Sequence, residues 1–447
     1  TGEFLEEWKL GKIVPIFKGK GSDRDPASYR PVTLTSVIGR IVEQAVRSQF
    51  IGVLDSKILT ANQYGFRSGS GTAKCLNNCI DEIRRHLIMG EKTAIVAVDG
   101  SCAFDLVPRD LLKELIAAAG AGKSMMRWLE DYFTNRKQYV DIGARSKTWT
   151  VEVGTIQGGP ISPDFYNIIS STQTLWNKFA TSFQFADDDV ENVSSSTEQG
   201  CNELIEKASR GMCEWFESAG LTVNPSKSEI MGFGFTPAPV VIAGKIVEPK
   251  SKIKFLGLTI RSDLRWSDHV DGICAAVRKA AGRIRFEGRH LGRDERRTLY
   301  HAWVGGRIHY NAGVYLPLLN GNEIGRIQTA CNSAVRAVLG LPKKGKVDLD
   351  GGRKELRIPT VEQLRRYYEC MNAWENRETL IGEAMSGRDT RRKGKGEVQA
   401  PDQRGQKQHL TVVRATLTWN SLPEAIRTAE DKGTAKRLIK NYVYANR

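Results

Sequence analysis

No stretch of the chain approaches the ~18 consecutive apolar residues that a membrane-spanning helix needs, so no membrane association is expected. A C-x-x-C pair is also missing. The eight cysteines are scattered, with Cys75 and Cys79 four apart in a helical pattern, which suggests neither a zinc site nor a disulfide framework. A reducing compartment, nuclear or cytoplasmic, fits, and secretion does not. The opening TGEFLEEWKL has neither an initiator Met nor a basic segment followed by an apolar one, so a soluble fragment of a longer chain is expected. An acidic excess is absent as well: 66 Lys+Arg stand against 51 Asp+Glu, a formal net charge of +15.

What is present suffices for two or three domains, because 447 residues exceed the usual reach of one hydrophobic core and 40% of them are apolar. The charge is unevenly divided. Residues 1–260 carry 30 Lys+Arg and 30 Asp+Glu, whereas 261–447 carry 36 and 21, so the whole excess lies in the last part. Residues 151–200 hold seven acids and a single base, Lys178. A basic flank of this kind suits a polyanion, and an acidic pocket beside it needs cations before a phosphate can approach. The competing reading is a set of solvated helix faces.

Apolar residues recur at helical spacing in VIGRIVEQAVRSQFIGVL (Ile38, Ile41, Val42, Ala45, Val46, Phe50) and again in CIDEIRRHLI. TAIVAVD, residues 93–99, is a β-rich run that ends in an acid, and PRDLLKELIAAAG follows as a helix with Pro108 near its first turn. QYVDIG and TWTVEV alternate like paired strands, SPDFYNIISSTQTLWNKFA is helical, and QFADDDV reads as two short strands with acids in the turn. Strands SEIMGFG, PVVIAG and KIKFLGLTI come next, then mainly helix from Trp266. The segment 386–408 is nearly free of large apolar side chains and is expected to be a flexible basic linker.

Two acids in a hairpin turn can reach the same point as an acid at the end of a neighbouring strand. Asp99 with Asp187 and Asp188 could therefore share two Mg2+ ions about 4 Å apart, with Mn2+ as an alternative ion, because oxygen ligands suit hard cations. Such a pair of ions serves nucleotidyl transfer. A lone DD pair is common in turns, so the constellation has to carry the reading.

In order along the chain, GKIVPIFKGKGSDRDPASYRPVTLTS, QYGFRSGSGT, VDGSCAFD, IQGGPISPDFYN, FADD, GLTVNPSKSEIM and IKFLGLTI resemble the successive motifs of the reverse transcriptases of non-LTR retrotransposons. The late WNSLPEAI is similar to the tail of these reading frames. The resemblance implies an α+β right-hand polymerase: fingers over 1–92, palm over 93–250 with the catalytic hairpin at 185–188, primer-grip strand and helical thumb over 251–345, and a basic C-terminal extension over 346–447. It implies an RNA template, a DNA primer, their RNA–DNA hybrid and dNTPs as partners.

Residue by residue, the resemblance implies metal-binding catalytic roles for Asp99, Asp187 and Asp188. Phe104 would be the steric gate against a ribose 2′-OH. Lys18 and Arg30 would meet the triphosphate, Gln157 and Gly158 would line the nucleotide pocket, and Lys227 would stand near the leaving pyrophosphate. Phe255, Leu256 and Gly257 would form the primer grip, and Arg278, Lys279, Arg283, Arg285 and Arg289 would lie along the hybrid. Asp105 reads as a cap of the turn before Pro108 rather than a ligand. The chain departs from the family pattern at Asp189, Gly159 and Gly100. No endonuclease motif is seen, and an upstream endonuclease missing from this fragment is expected. The alternatives are a catalytically decayed nucleic-acid-binding remnant and an RNA-dependent RNA polymerase.

Overall fold

The computed structural model describes residues 2–101, 104–343, 345, 347–380, 407 and 409–445. The linker expected over 386–408 lies, Lys407 apart, outside the described residues. The chain runs through β1 (Leu10–Phe17), β2 (Tyr29–Leu34), α1 (Val37–Lys57), α2 (Thr72–Ile88), β3 (Lys92–Ala97), β4 (Gly100–Ser101), α3 (Arg109–Ala118), α4 (Lys123–Phe133), β5 (Lys137–Val140), β6 (Trp149–Thr150) and α5 (Ser162–Ser171). There follow β7 (Thr181–Phe185), β8 (Asp188–Ser195), α6 (Glu198–Ser218), β9 (Thr222–Val223), β10 (Glu229–Phe233), β11 (Val240–Ile242), β12 (Lys245–Val247), β13 (Lys252–Phe255) and β14 (Leu258–Arg261). From there it is helical: α7 (Ser267–Glu287), α8 (Arg293–Tyr300), α9 (Gly306–His309), α10 (Ala312–Tyr315), α11 (Gly321–Val338), α12 (Leu349–Leu356), α13 (Val361–Glu375) and the helices Thr411–Ser421, Glu424–Arg427 and Lys432–Ala445.

These elements form two compact units, Thr1–Gly71 with Thr93–Lys250, and Thr72–Lys92 with Ser251–Arg447. Helix α2, read from sequence as part of an N-terminal segment 1–92, thus groups with the C-terminal helices. The reason is visible in its side chains. Asp81 is buried and accepts the backbone N–H of Thr411 at 3.0 and 3.1 Å, and Arg84 donates to the carbonyl of His409 at 3.1 Å.

The first unit is built on two four-stranded sheets, ordered β10-β3-β8-β7 and β2-β1-β5-β6. Thr93–Val96 and Val98 are buried because β3 lies between two neighbours inside the sheet, and Trp215, Tyr132 and Phe165 fill the core around it. Helix α1 departs from its expected apolar face. Ile38 and Ile41 are exposed, whereas Glu43 is fully buried beside Arg136 and Tyr132, and that burial raises its carboxyl pKa. The helix packs through Gly39, where a Cβ would come within 3.0 Å of Trp8, and through Phe50. Periodicity identifies a helix here but not the stripe that is covered.

In the second unit α7 packs along α11, and a separate core gathers Trp374, Trp419 and Ile439. The segment KIKFLGLTI, read as one strand, is a hairpin: β13 and β14 pair antiparallel with Phe255 opposite Leu258, and Leu256 and Gly257 take positive φ values of 43° and 81° in the turn. Both strands bury alternate residues, so the run keeps one continuous apolar pattern across the turn. Among the described residues no helix is long and apolar enough to cross a membrane.

Candidate active site

Strands β7 and β8 pair with Phe185 opposite Asp188, which leaves Ala186 and Asp187 as a two-residue loop. Ala186 adopts a φ of 59°, a left-handed conformation that costs an L-residue roughly 1 kcal/mol and persists where neighbours impose it. The neighbours come from the QYGFR segment. The side-chain carbonyl of Gln63 accepts the N–H of Ala186 at 3.2 Å and of Gly65 at 2.8 Å, and the Tyr64 N–H donates to the Gln184 carbonyl at 2.7 Å. Gly65 is required by closeness, since a Cβ there would stand 2.5 Å from the Ala186 nitrogen. Gln63 and Gly65 are thus supports of the hairpin that sequence reasoning did not single out; the signal was the Gln-x-Gly spacing inside a quoted motif.

Asp99 follows β3, with its carbonyl accepting the Asn224 N–H at 2.7 Å. Lys227 reaches it from the turn before β10, and its ammonium lies 2.9 Å from Asp99 Oδ2. Asp187 and Asp188 stand exposed at the hairpin tip. Local desolvation raises both carboxyls, and Asp99 adds like charge to each. For Asp188 the desolvation, then Asp187, then Asp99 push its pKa up to about 6, with Lys227 opposing. Arg30 and Lys227 draw Asp187 downward. Three acids separated by 88 positions in the chain therefore share one electrostatic neighbourhood, with Lys227 as its resident cation.

The donor set fits a hard divalent cation in kind: carboxylate oxygens only, mutually repelling, with an ammonium already drawn in. It is not a finished cage. Among the described residues no group of three or more His, Cys, Asp or Glu is gathered tightly enough to hold an ion as it stands.

The remaining expected residues divide. Phe104 is half-buried and stacks on Tyr166 with ring centroids 5.3 Å apart, and all four of Asp99, Asp187, Asp188 and Asp189 add to the desolvation that raises the Tyr166 hydroxyl. Arg30, exposed on β2, lies close enough to act on Asp187. Lys18 instead donates to the Ala27 carbonyl at 2.9 Å, inside its own loop. The Gln157 carbonyl accepts the Thr33 N–H at 2.8 Å, and Gly158, at a φ of 111°, would bring a Cβ to 3.2 Å from the Thr33 carbonyl. Asp105 does not cap α3, whose N-cap is Pro108 with no side-chain cap among the described residues.

Each departure from the family pattern has a packing account. At Gly100 a Cβ would meet the Phe216 ring at 2.6 Å, so the ring fills the space of a bulkier residue. At Gly159 a Cβ would stand 2.8 Å from Ser162 Oγ and 3.2 Å from the buried Glu43 carboxylate. Asp189 turns inward: Gln173 Nε2 donates to it and, at 2.9 Å, to Glu191. Burial and then Glu191 raise its carboxyl well above the ordinary range, and burial raises Glu191 too.

In the second unit the β13–β14 turn is fixed from below. The Leu256 carbonyl accepts from Tyr310 Oη at 3.1 Å and Asn311 Nδ2 at 3.2 Å, and a Cβ on Gly257 would be 2.7 Å from the Tyr310 ring. Phe255 and Leu256 are buried and Gly257 is exposed. Beside the turn a groove of about 820 Å³ is lined by Lys254, Lys279, Arg283, Arg307, Trp303 and Tyr310. Arg283 lies over the Trp303 ring at 4.0 Å and pairs with Glu287. Arg278 and Lys279 are exposed, and Arg289 is exposed over the Phe286 ring at 4.8 Å. Arg285 is half-buried and donates to the Leu341 carbonyl at 2.7 Å, so it fastens α7 to the end of α11.

Residues 18–260 match the family described as "Reverse transcriptase (RNA-dependent DNA polymerase)". Over 354 residues the chain is 26% identical to the probable RNA-directed DNA polymerase from transposon X-element of Drosophila melanogaster, covering 75% of this chain and 38% of that protein. Over 370 residues it is 26% identical to the corresponding protein from transposon BS, covering 76% and 39%. The RNA-directed DNA polymerase from mobile element jockey is 23% identical over 299 residues, with 64% and 32% covered. The chain thus spans well under half the length of these curated relatives. Among solved structures, telomerase from Candida tropicalis in complex with a fragment of telomeric RNA aligns with a TM-score of 0.45 at 12% identity, covering 99% of this chain and 65% of that one.

Proposed function

From the premise that the chain belongs to the reverse transcriptases (RNA-dependent DNA polymerases), of the kind encoded by non-LTR retrotransposons, we propose that it extends a DNA primer 3′-hydroxyl with dNTPs along an RNA template. The α+β architecture is read accordingly. The β10-β3-β8-β7 sheet is read as the palm, the β1–β2 pair as part of the fingers, and α7 with its neighbours as the thumb. The observation that supports the reading is that Asp99, Asp187 and Asp188 act on one another electrostatically and that Lys227 pairs with Asp99 while acting on the other two.

Asp99, Asp187 and Asp188 would hold two Mg2+ ions, which when bound lower the pKa of the attacking hydroxyl and neutralise charge on the leaving pyrophosphate. The protein's own residues do the rest. Lys227, paired with Asp99 here, would offer its ammonium to the triphosphate, where Arg30 would add a second cation. Phe104, held flat by Tyr166, excludes a ribose 2′-OH by contact. Gln157 and Gly158 present backbone to the base pair, since Gly158 has no side chain to keep it away. The groove beside Gly257 offers cations and aromatic faces to a strand backbone, as an RNA–DNA hybrid requires.

Primer extension on poly(rA)/oligo(dT) with Mg2+ tests this. Incorporation of dTTP in preference to UTP, abolished by Asp187→Ala, is the expected result. Incorporation that survives Asp187→Ala overturns the metal assignment, binding without incorporation favours a decayed remnant, and a preference for UTP favours an RNA polymerase.

A further inference from the structure

A second cavity, of about 560 Å³, lies wholly within the second unit and shares no residue with the groove beside Gly257. Three separate features make it electropositive. First, its wall includes Trp266 and Ser267, the start of the 21-residue helix α7, whose N-terminus is capped by no side chain among the described residues; Asp268 of the first turn is taken up by Lys252 and Arg261, so backbone N–H groups there are left for an outside acceptor. Secondly, Arg84 lines the cavity although only 3% of it is exposed, and its buried Nε has no hydrogen-bond partner among the described residues. Burying a guanidinium is costly without a matching anion, and the anion available is shared. Asp81 is the buried carboxylate here, and both Arg84 and Arg414 lean on it while also donating to the His409 carbonyl. Thirdly, Arg265 at the rim is exposed, while Arg261 beside it is taken up by Asp263 and Asp268. Glu323 is the other acid of the wall, and it is turned to the capping box of α11, where it accepts the Asn320 N–H at 3.0 Å.

We propose that this cavity is a phosphate subsite, in which Arg265, Arg84 and the open N-terminus of α7 hold one phosphodiester of a bound nucleic-acid strand. A phosphate matches the set in charge and in acceptor number, because it can take N–H donors from a helix start and a guanidinium together. The subsite anchors a strand by its backbone and reads no base. It adds to the reading of the chain as a nucleic-acid polymerase a second place of attachment, independent of the catalytic acids.

The test is equilibrium binding of a fluorescent single-stranded RNA and the matching DNA to the whole chain, in EDTA so that no turnover occurs, across a salt series. Arg265→Ala is compared with Arg265→Lys and with the groove variant Lys279→Ala. Arg265 is exposed, so its removal leaves the fold intact. Arg265→Ala is expected to weaken binding about three- to tenfold at moderate salt and to reduce the slope of log K against log salt by about 0.7, one phosphate contact on a single strand. Arg265→Lys restores most of both. RNA and DNA responding alike assigns the contact to the shared phosphate, and a response confined to one names which strand sits there. If wild type binds and Arg265→Ala matches it in affinity and slope while Lys279→Ala does not, the subsite is overturned and the polymerase reading stands. If wild type binds neither strand, both fall. Inorganic phosphate raising the Tm of wild type but not of Arg265→Ala, with strand binding unchanged, overturns the strand assignment in favour of a free anion.

Discussion

Local desolvation, then the charges of Asp187 and Asp99, push the Asp188 carboxyl up to about 6. A carboxyl whose pKa is raised on folding binds its proton more tightly folded than unfolded. Its contribution therefore favours the folded state below the unfolded value and is lost as pH rises through about 6. Cation binding has the opposite sense, since it takes the deprotonated form. At limiting Mg2+ polymerisation is expected to fall as pH drops below about 6, and saturating Mg2+ should shift that apparent pKa downward. A pH profile that ignores Mg2+ concentration contradicts this. Asp189 makes a separate case at the same scale. Its carboxyl lies among Gln173 and Glu191 rather than toward Asp99, so it braces β8 from within. Asp189→Asn keeps a polar partner for Gln173 and removes one of two buried acids. It is expected to leave the Mg2+ concentration for half-maximal activity unchanged and to raise Tm by a degree or more. A several-fold rise in the Mg2+ requirement would make Asp189 a ligand.

At the scale of elements, the β7–β8 turn of the first unit and the β13–β14 turn of the second are each held by backbone geometry. Ala186 at φ 59° is tolerated because Gln63 fixes its N–H, so Ala186→Gly should be neutral to stabilising by up to about 1 kcal/mol, whereas a β-branched Val should cost more than 1 kcal/mol and slow extension. Gly257 at φ 81° faces the Tyr310 ring, and Gly257→Ala adds a Cβ 2.7 Å from it. That variant is expected to raise KM for primer–template more than it lowers kcat, and steady-state kinetics separate the two. Much of this was legible in the sequence. The acids, the hairpin and the order of motifs were read from QFADDDV and TAIVAVD, because a short turn between apolar strands has a local signature. The break in KIKFLGLTI was hidden because Phe255 and Leu258 keep one apolar pattern across it, and Gly257 was the only punctuation. The exposure of Ile38 and Ile41 with burial of Glu43 was illegible for another reason. Which stripe of α1 is covered depends on Trp8, Tyr132 and Arg136, all distant along the chain.

Across the whole molecule the charge is divided so that residues 1–260 balance and 261–447 carry the entire +15. Free-standing basicity of this size acts through counterion release, which makes affinity for nucleic acid fall linearly on a log–log plot against salt. The structure narrows which cations take part. Arg285 is held by the Leu341 carbonyl and Arg261 by two aspartates, so neither is available to a strand. Lys254, Lys279 and Arg307 line the open groove, and Arg278 is exposed on the same helix as Lys279. Double substitution Arg278→Ala/Lys279→Ala is accordingly expected to lower the salt slope for an RNA–DNA hybrid by between one and two, to weaken binding at least tenfold at moderate ionic strength, and to leave Tm within about a degree. Arg285→Ala should do the reverse, lowering Tm through the lost contact between α7 and the end of α11 with little change in slope. Equal slopes for both variants would mean that the basic excess acts as a diffuse field, with no particular groove at work.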